Sequence, residues 1–501
     1  MGYKIVLTSD RTLMSEYNNN QFIGFAACAP SFLPSFLYKT LFCPSVPCSK
    51  GIPAFVHCGL RKIEATLLEN GFSKEEVVVG HPEKLHKVIN KNTKVIGITT
   101  NDPLGLGPAS STFSSLCGKE SYTAFYFRKL ITNKLIEKYN LKVIVGGPGV
   151  WQLEDEGIRT KLGIDCIVIG EGELVAPEIF HKAINNEPLP PVVYGDVVPV
   201  EKIPTIKNPT VNGLVEIARG CGRGCKFCNP TMLKVRYLPI EKILEEVKLN
   251  IKTHKKRGVI LHAEDVLRYR AKGAIPNEEE VFRLFSEVKK ITDDIGTSHF
   301  SLAAVVAKPS LIEDLSNLLS IGSSRLPWYS AQTGIETGSP ELANEHLAGK
   351  AKPFDVKEWP DIVKEAFEIL KDNRWVPCAT LVMGLPKESE SDVIKTRELV
   401  EDLKDCKSLI VPLFFVPIGN LEGERFFTAK DMTPEHWKLL AVCWRHNFYW
   451  FPMLIEEHFK MRQISIIKTK IIHIIKRYAE RKLEPYLKLM EEGKSPLGVA
   501  A

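Results

Sequence analysis

Over the first 200 residues, short β-branched apolar runs alternate with helical patterns: KIVLTS, then GLRKIEATLLENGF, EEVVVG, KVIGITT, a long helical stretch ending near Tyr139, LKVIVGG and DCIVIGEGE. Runs that are apolar at successive positions need cover on both faces. The amphipathic helices between them supply it, so the order predicts an α/β fold with a parallel, doubly wound sheet. Such sheets bind ligands at the carboxyl ends of their strands, here at TNDPLGLGP after Thr99 and GGPGVWQ after Val145.

A proline-rich stretch over residues 186–209 marks a boundary, and a second series of strands and helices runs from Val211 to about Pro417. The expected domains are therefore 1–200, the doubly wound domain with an apolar N-terminal segment; 205–425, the second α/β series; and 426–501, a basic helical appendix. A chain of 501 residues is long enough for two or three such cores.

Early in the second series stands RGCGRGCKFCNP, residues 219–230, which holds three of the twelve cysteines. Three is odd, the spacing is too tight for ordinary bridges, and no secretory signal precedes them, so disulfides fail and metal is the better reading. A zinc tetrahedron lacks its fourth ligand nearby, since the closest other cysteines are Cys166 and Cys378; a zinc knuckle would have to borrow one of them. An incomplete thiolate set suits an iron–sulfur cluster with three irons held by cysteine and one left open. Gly220, Gly222 and Gly224 let backbone amides approach the sulfides.

The spacing C-x3-C-x-F-C, with Phe227 directly before the third cysteine, resembles the signature of the radical S-adenosylmethionine (SAM) superfamily. The resemblance implies that Cys221, Cys225 and Cys228 hold a [4Fe–4S] cluster. It also implies that the open iron binds the amino and carboxylate groups of SAM, and that an electron from the cluster cleaves SAM to a 5′-deoxyadenosyl radical. The second series resembles the partial (β/α) barrel of that family. In HAEDV, residues 262–266, Glu264 would take the SAM amino group. In TGIETGS, residues 333–339, Gly334 and Glu336 would border the ribose, with Glu336 accepting from a hydroxyl. In VMGLPKESESD, residues 382–392, Gly384 and Pro386 would centre the loop that packs on adenine.

The strand-end loops of the first domain, with GEGE at 170–173, resemble the cobalamin-binding domain fused in front of many radical SAM enzymes. Relatives that ligate cobalt carry a histidine in D-x-H-x-x-G, whereas here the loop reads Asp102, Pro103, Leu104, Gly105. Two alternatives stay open: cobalamin bound without a protein imidazole, or the fold kept without the cofactor.

The net charge of +6 makes no demand for a nucleic-acid partner. The N-terminus reads as neither signal peptide nor myristoylation site, and no run of about 18 apolar residues suggests a spanning helix. A cytoplasmic, reducing location is expected, with an electron donor such as ferredoxin or flavodoxin. After residue 460, Ile464, Ile467, Ile471, Ile474 and Tyr478 recur at helical steps among Lys468, Lys470, Lys476, Arg477, Arg481 and Lys482. Such a stripe suits either packing on the barrel or peripheral association with the inner face of a membrane. Residues 22–48, apolar and broken by prolines, could line a channel for alkyl chains. Cys28, Cys43, Cys48 and Cys58 lie in or just after them and could in principle hold an auxiliary cluster.

The domain order and these two segments resemble archaeal radical SAM proteins that modify tetraether membrane lipids. The function expected from that resemblance is hydrogen abstraction from an unactivated carbon, forming a C–C bond by cross-linking or cyclising lipid chains. The alternative is a cobalamin-dependent C-methyltransferase. A non-catalytic iron–sulfur carrier would leave Glu264 and the segments at 333–339 and 382–392 without purpose.

Overall fold

The computed structural model describes residues 2–16, 25–228, 234–253, 258–461 and 466–498; side chains at Phe25, Phe459, Met461, 466–472, 475, 476, 478 and 479 are likewise outside the description. The first part of the apolar segment and the side chains of Ile464, Ile467, Lys468, Lys470, Ile471, Lys476 and Tyr478 therefore lie outside the described residues. The chain divides into two compact units. One comprises Met1–Gly220, Lys234–His262 and Val288–Ile295; the other comprises Cys221–Leu233, Ala263–Glu287 and Gly296–Ala501.

The first unit is built on six parallel strands: β1 (Ile5–Ser9), β2 (Val77–Val79), β3 (Val95–Thr99), β4 (Lys142–Gly146), β5 (Cys166–Gly170) and β6 (Val192–Gly195), in the order β2-β1-β3-β4-β5-β6. Side chains alternate across the sheet. Ile5 and Leu7 join Val77, Val79 and Val168 under the helices Cys58–Glu69 and Ala176–Ile184, while Val6, Ile96, Ile98 and Val145 pack on the other face against Phe127 and Leu130. Both faces are buried, so the strands read as continuous apolar runs. The order reverses between β1 and β3, which makes their carboxyl ends the natural ligand crevice.

Residues 26–48 fold back on the sheet's helices. Tyr38 stacks on Tyr122 with ring centroids 3.5 Å apart, and Arg11 donates to the carbonyl oxygen of Cys43 at 2.7 Å. Phe32 and Phe36 stay 54% and 68% exposed.

The linker is pinned rather than free. Lys62 on Cys58–Glu69 pairs with Glu246 on the helix Ile240–Thr253 at 2.5 Å, both side chains no more than 2% exposed. Lys62 also donates to Pro204 O at 2.8 Å, and Glu246 accepts from Ile206 N at 3.1 Å. Arg61 reaches Pro209 O, and Thr210 N donates to Asn250 Oδ1. These bonds place the first two strands of the second series, Leu214–Glu216 and Val259–His262, in the first unit, where they pair in parallel with His262 beside Glu216.

In the second unit, Tyr329–Glu336, Trp375–Met383 and Leu409–Phe414 form a parallel sheet in that order, and Ser298–Phe300 extends it through bonds to Gln332. The helix Pro434–Met461 packs on Leu409–Phe414; Asn447 caps both backbone groups of Ile410, and Ser408 bonds His446. Arg445 ties it to Glu484 and Glu491 of the last helix, Ile466–Glu491. No described helix is long and apolar enough to cross a membrane.

Because Lys62→Met leaves Glu246 buried without its cation, it should destabilise the first unit by about 3–5 kcal/mol. A urea-unfolding midpoint equal to that of the parent protein would contradict this account.

Candidate active site

The cysteine loop of the second unit has a wound backbone. Gly220, Gly222 and Gly224 adopt φ of 78°, 70° and 75°, a left-handed conformation that side chains disfavour, and they bracket Cys221 and Arg223. Long-range bonds then fix the loop. Arg223, 5% exposed, pairs with Asp265 at 3.2 Å and donates to Ser301 Oγ at 2.7 Å. It also caps the carbonyls of Gly349, Lys350 and Lys352 at 3.3, 2.9 and 2.9 Å, at the end of the helix Pro340–Ala351. Arg268 donates to Cys221 O at 2.9 Å, and Lys226 N donates to His346 O at 2.9 Å. Phe227, which sequence places beside the cofactor, packs with Leu342, Leu385 and Phe415.

The three thiols feel one another. Burial raises the Cys225 thiol, with Lys350 opposing and Glu336 and Cys221 adding to the rise. Burial, then the charges of Cys225 and Cys221, push Cys228 up to about 12. Burial and neighbouring charge disfavour the thiolates of Cys225 and Cys228, and binding to iron removes that obstacle by deprotonating thiols outright. The all-thiol donor set and its wound loop therefore fit a cluster. Among the described residues, no group of three or more His, Cys, Asp or Glu side chains is gathered as a single-ion site. Cys43 is engaged by Arg11 and Ser15, Cys58 has Lys62, Glu246 and Glu216 as charged neighbours, and Cys28 has Asp102 and Asp10.

Glu264 is half-buried, its charge acts on Cys228, and it makes no hydrogen bond or ion pair with a described residue. Glu336 is differently placed. It is 7% exposed at φ 65°, pairs through Oε1 with Lys350, and accepts from Thr380 Oγ1 at 3.2 Å. A Cβ on Gly334 would overlap both Glu336 and Lys350. Gly384 donates its N–H to Glu388 at 2.6 Å, which in turn meets His436 at 2.8 Å, and the Phe427 ring fills the space a Cβ on Gly384 would need. Pro386 O accepts from His346 Nε2 at 2.7 Å. His346 thus joins the cysteine loop, through its carbonyl, to the 384–386 loop, through its ring.

In the first unit the strand-end loops are stapled. Gln152 donates to Asp102 at 2.7 Å and accepts from Leu104 N at 2.9 Å, closing the loop at the position where relatives carry histidine. Burial pushes the Asp10 carboxyl up to about 6. Asp10 Oδ2 and Thr100 Oγ1, one residue beyond β1 and β3, are buried without a partner. The glutamates of GEGE serve ion pairs instead: Glu171 holds Arg236 at 2.5 Å and Arg219 at 2.7 Å, and Glu173 holds Arg219 at 2.8 Å. Arg219 stands two residues before Cys221.

Residues 215–400 match the model of the Radical SAM superfamily. A tRNA-2-methylthio-N(6)-dimethylallyladenosine synthase of Orientia tsutsugamushi is 24% identical over 274 residues, 53% of this chain and 58% of that protein. An uncharacterised methyltransferase of Pyrococcus horikoshii is 22% identical over 383 residues, 70% of this chain and 74% of that protein. The chain thus spans less than two thirds of the synthase's length. The solved radical SAM methyltransferase TsrM of Kitasatospora setae, with cobalamin and a [4Fe–4S] cluster bound, superposes with a TM-score of 0.55 at 11% identity, covering 84% of this chain and 77% of that one. The likeness shows a shared α/β architecture. A radical SAM domain implies a [4Fe–4S] cluster and SAM. This chain carries a radical SAM superfamily domain, spanning residues 215–400.

Proposed function

We propose that the chain is a radical SAM methyltransferase that methylates carbon, with a corrinoid held at the strand ends of its first unit. The observation that carries the radical SAM part is the pinned loop of three cysteines, with Glu264 making no hydrogen bond or ion pair with a described residue and its charge acting on Cys228. When bound, the cluster supplies the electron that cleaves SAM. The chain's own residues orient and shield. Cys221, Cys225 and Cys228 would hold the cluster, with Arg223 and Arg268 fixing their backbone. Glu264 would take the SAM amino group, and the loop at Gly384 and Pro386, braced by Glu388 and His346, would lie against adenine.

The corrinoid part is supported by the fold shared with TsrM and by the unsatisfied Asp10 Oδ2 and Thr100 Oγ1 at the crevice. Leu104, stapled by Gln152, offers no imidazole, so the cobalt would be bound without a ligand from that loop. A cluster-loaded protein that takes up no cobalamin, and moves no labelled methyl group from SAM, would sink this part.

A second reading, C–C bond formation in membrane lipids, draws on the exposed Phe32, Leu33 and Phe36 and on Ile474, 63% exposed within the C-terminal stripe. Flotation with anionic liposomes tests it: salt-sensitive binding that falls on Phe32→Ser/Phe36→Ser substitution would favour this reading, whereas no binding would remove it.

Replacing Cys221, Cys225 or Cys228 by Ala should abolish both iron binding and 5′-deoxyadenosine formation, because two thiolates do not retain the cluster. SAM cleavage persisting in any one of the three would refute the ligand assignment. Glu264→Gln should keep the iron while weakening SAM binding by about 1.5–3 kcal/mol, the worth of a charge-assisted hydrogen bond. Equal SAM affinity in a titration would show that another carboxylate does the work.

A further inference from the structure

Lys350 brings a buried cation to the cysteine loop. Its side chain is 13% exposed, and its ammonium pairs with Glu336, whose own side chain is 8% exposed. The helix that bears it, Pro340–Ala351, is locked to the loop at two levels. His346 O accepts from Lys226 N at 2.9 Å, and Arg223 caps the carbonyls of Gly349, Lys350 and Lys352. The approach is so close that a Cβ on Gly349 would collide with the carbonyl oxygen of Arg223, and one on Gly334 with both charged groups of the pair. The backbone carbonyl of Lys350 lies 2.9 Å from Arg223 Nη1, two residues before Cys225, so the pair sits against the cysteine loop.

We infer that the Lys350–Glu336 pair tunes the electron affinity of the cluster site. The reduced cluster carries one more negative charge than the oxidised one, so an ammonium held against the cysteine loop stabilises the reduced form and a carboxylate opposes it. The electron comes from an external one-electron reductant, and no bond is made or broken in the step. The two charges together set a potential between the extremes either would give alone. This inference rests on the cluster reading of Cys221, Cys225 and Cys228.

The test is a dithionite titration of reconstituted, SAM-free full-length protein, with the reduced cluster followed by electron paramagnetic resonance and iron measured in each sample. Lys350→Met should move the midpoint potential negative and Glu336→Gln should move it positive. The double variant should return towards the parent value, and Lys350→Arg should stay near it. General damage to the site would move both single variants in the same direction, and that result overturns the inference. So do unmoved potentials with full iron content, including the case in which Lys350→Met only weakens SAM binding. If Lys350→Met does not retain iron, the opposite shift in the near-isosteric Glu336→Gln still decides. A parent protein that holds no cluster at all would instead fail the cluster reading itself.

Discussion

Three thiols within eight residues repel one another once ionised, and a loop of alternating glycines has too much conformational freedom to hold them in place. The second unit is organised around removing that freedom. Arg223 lies inside the loop and is fastened to Asp265, Ser301 and the carbonyl end of Pro340–Ala351. Arg268 fastens Cys221, and His346 fastens Lys226. An arginine suits this role because its planar fork satisfies several acceptors at once, including carbonyls that the helix end leaves open. The same fastenings carry Lys350 and the 384–386 loop to defined places around the loop, so the architecture of the candidate site follows from restraining one short segment.

Much of the fold could be read from local pattern. The strand runs of the first unit are apolar at every position because both faces are covered, and period and composition alone reveal that. The cysteine spacing is equally local. What sequence reasoning missed depends on partners far apart in the chain. Arg223 and Lys350 are 127 residues apart, and nothing near either residue announces the bond. Asp265 sits beside Glu264 in HAEDV and could have been noticed there, but its purpose appears only with Arg223 in place. GEGE was read with the cofactor loops; its glutamates hold Arg219 and Arg236 instead.

The two units contribute unlike kinds of preparation. In the second, charges are paired and backbone groups capped around the loop, while Glu264 makes no hydrogen bond or ion pair with a described residue. In the first, Asp10 Oδ2 and Thr100 Oγ1 remain unsatisfied at the crevice where the strand order reverses. Unsatisfied buried polar groups are costly, and folds keep them where a ligand completes them.

The burial of Lys62 against Glu246 also bears on how the chain is made. The first unit includes residues up to Ile295, so it cannot be completed when only its doubly wound sheet has left the ribosome. Until the helix Ile240–Thr253 arrives, Lys62 has no carboxylate and the 186–209 stretch has no anchor. Synthesis therefore delivers the cysteine loop, residues 221–228, before the first unit can close. A fragment ending at the apparent boundary near residue 200 would expose the surface meant for that helix, which makes it a poor choice for separate expression.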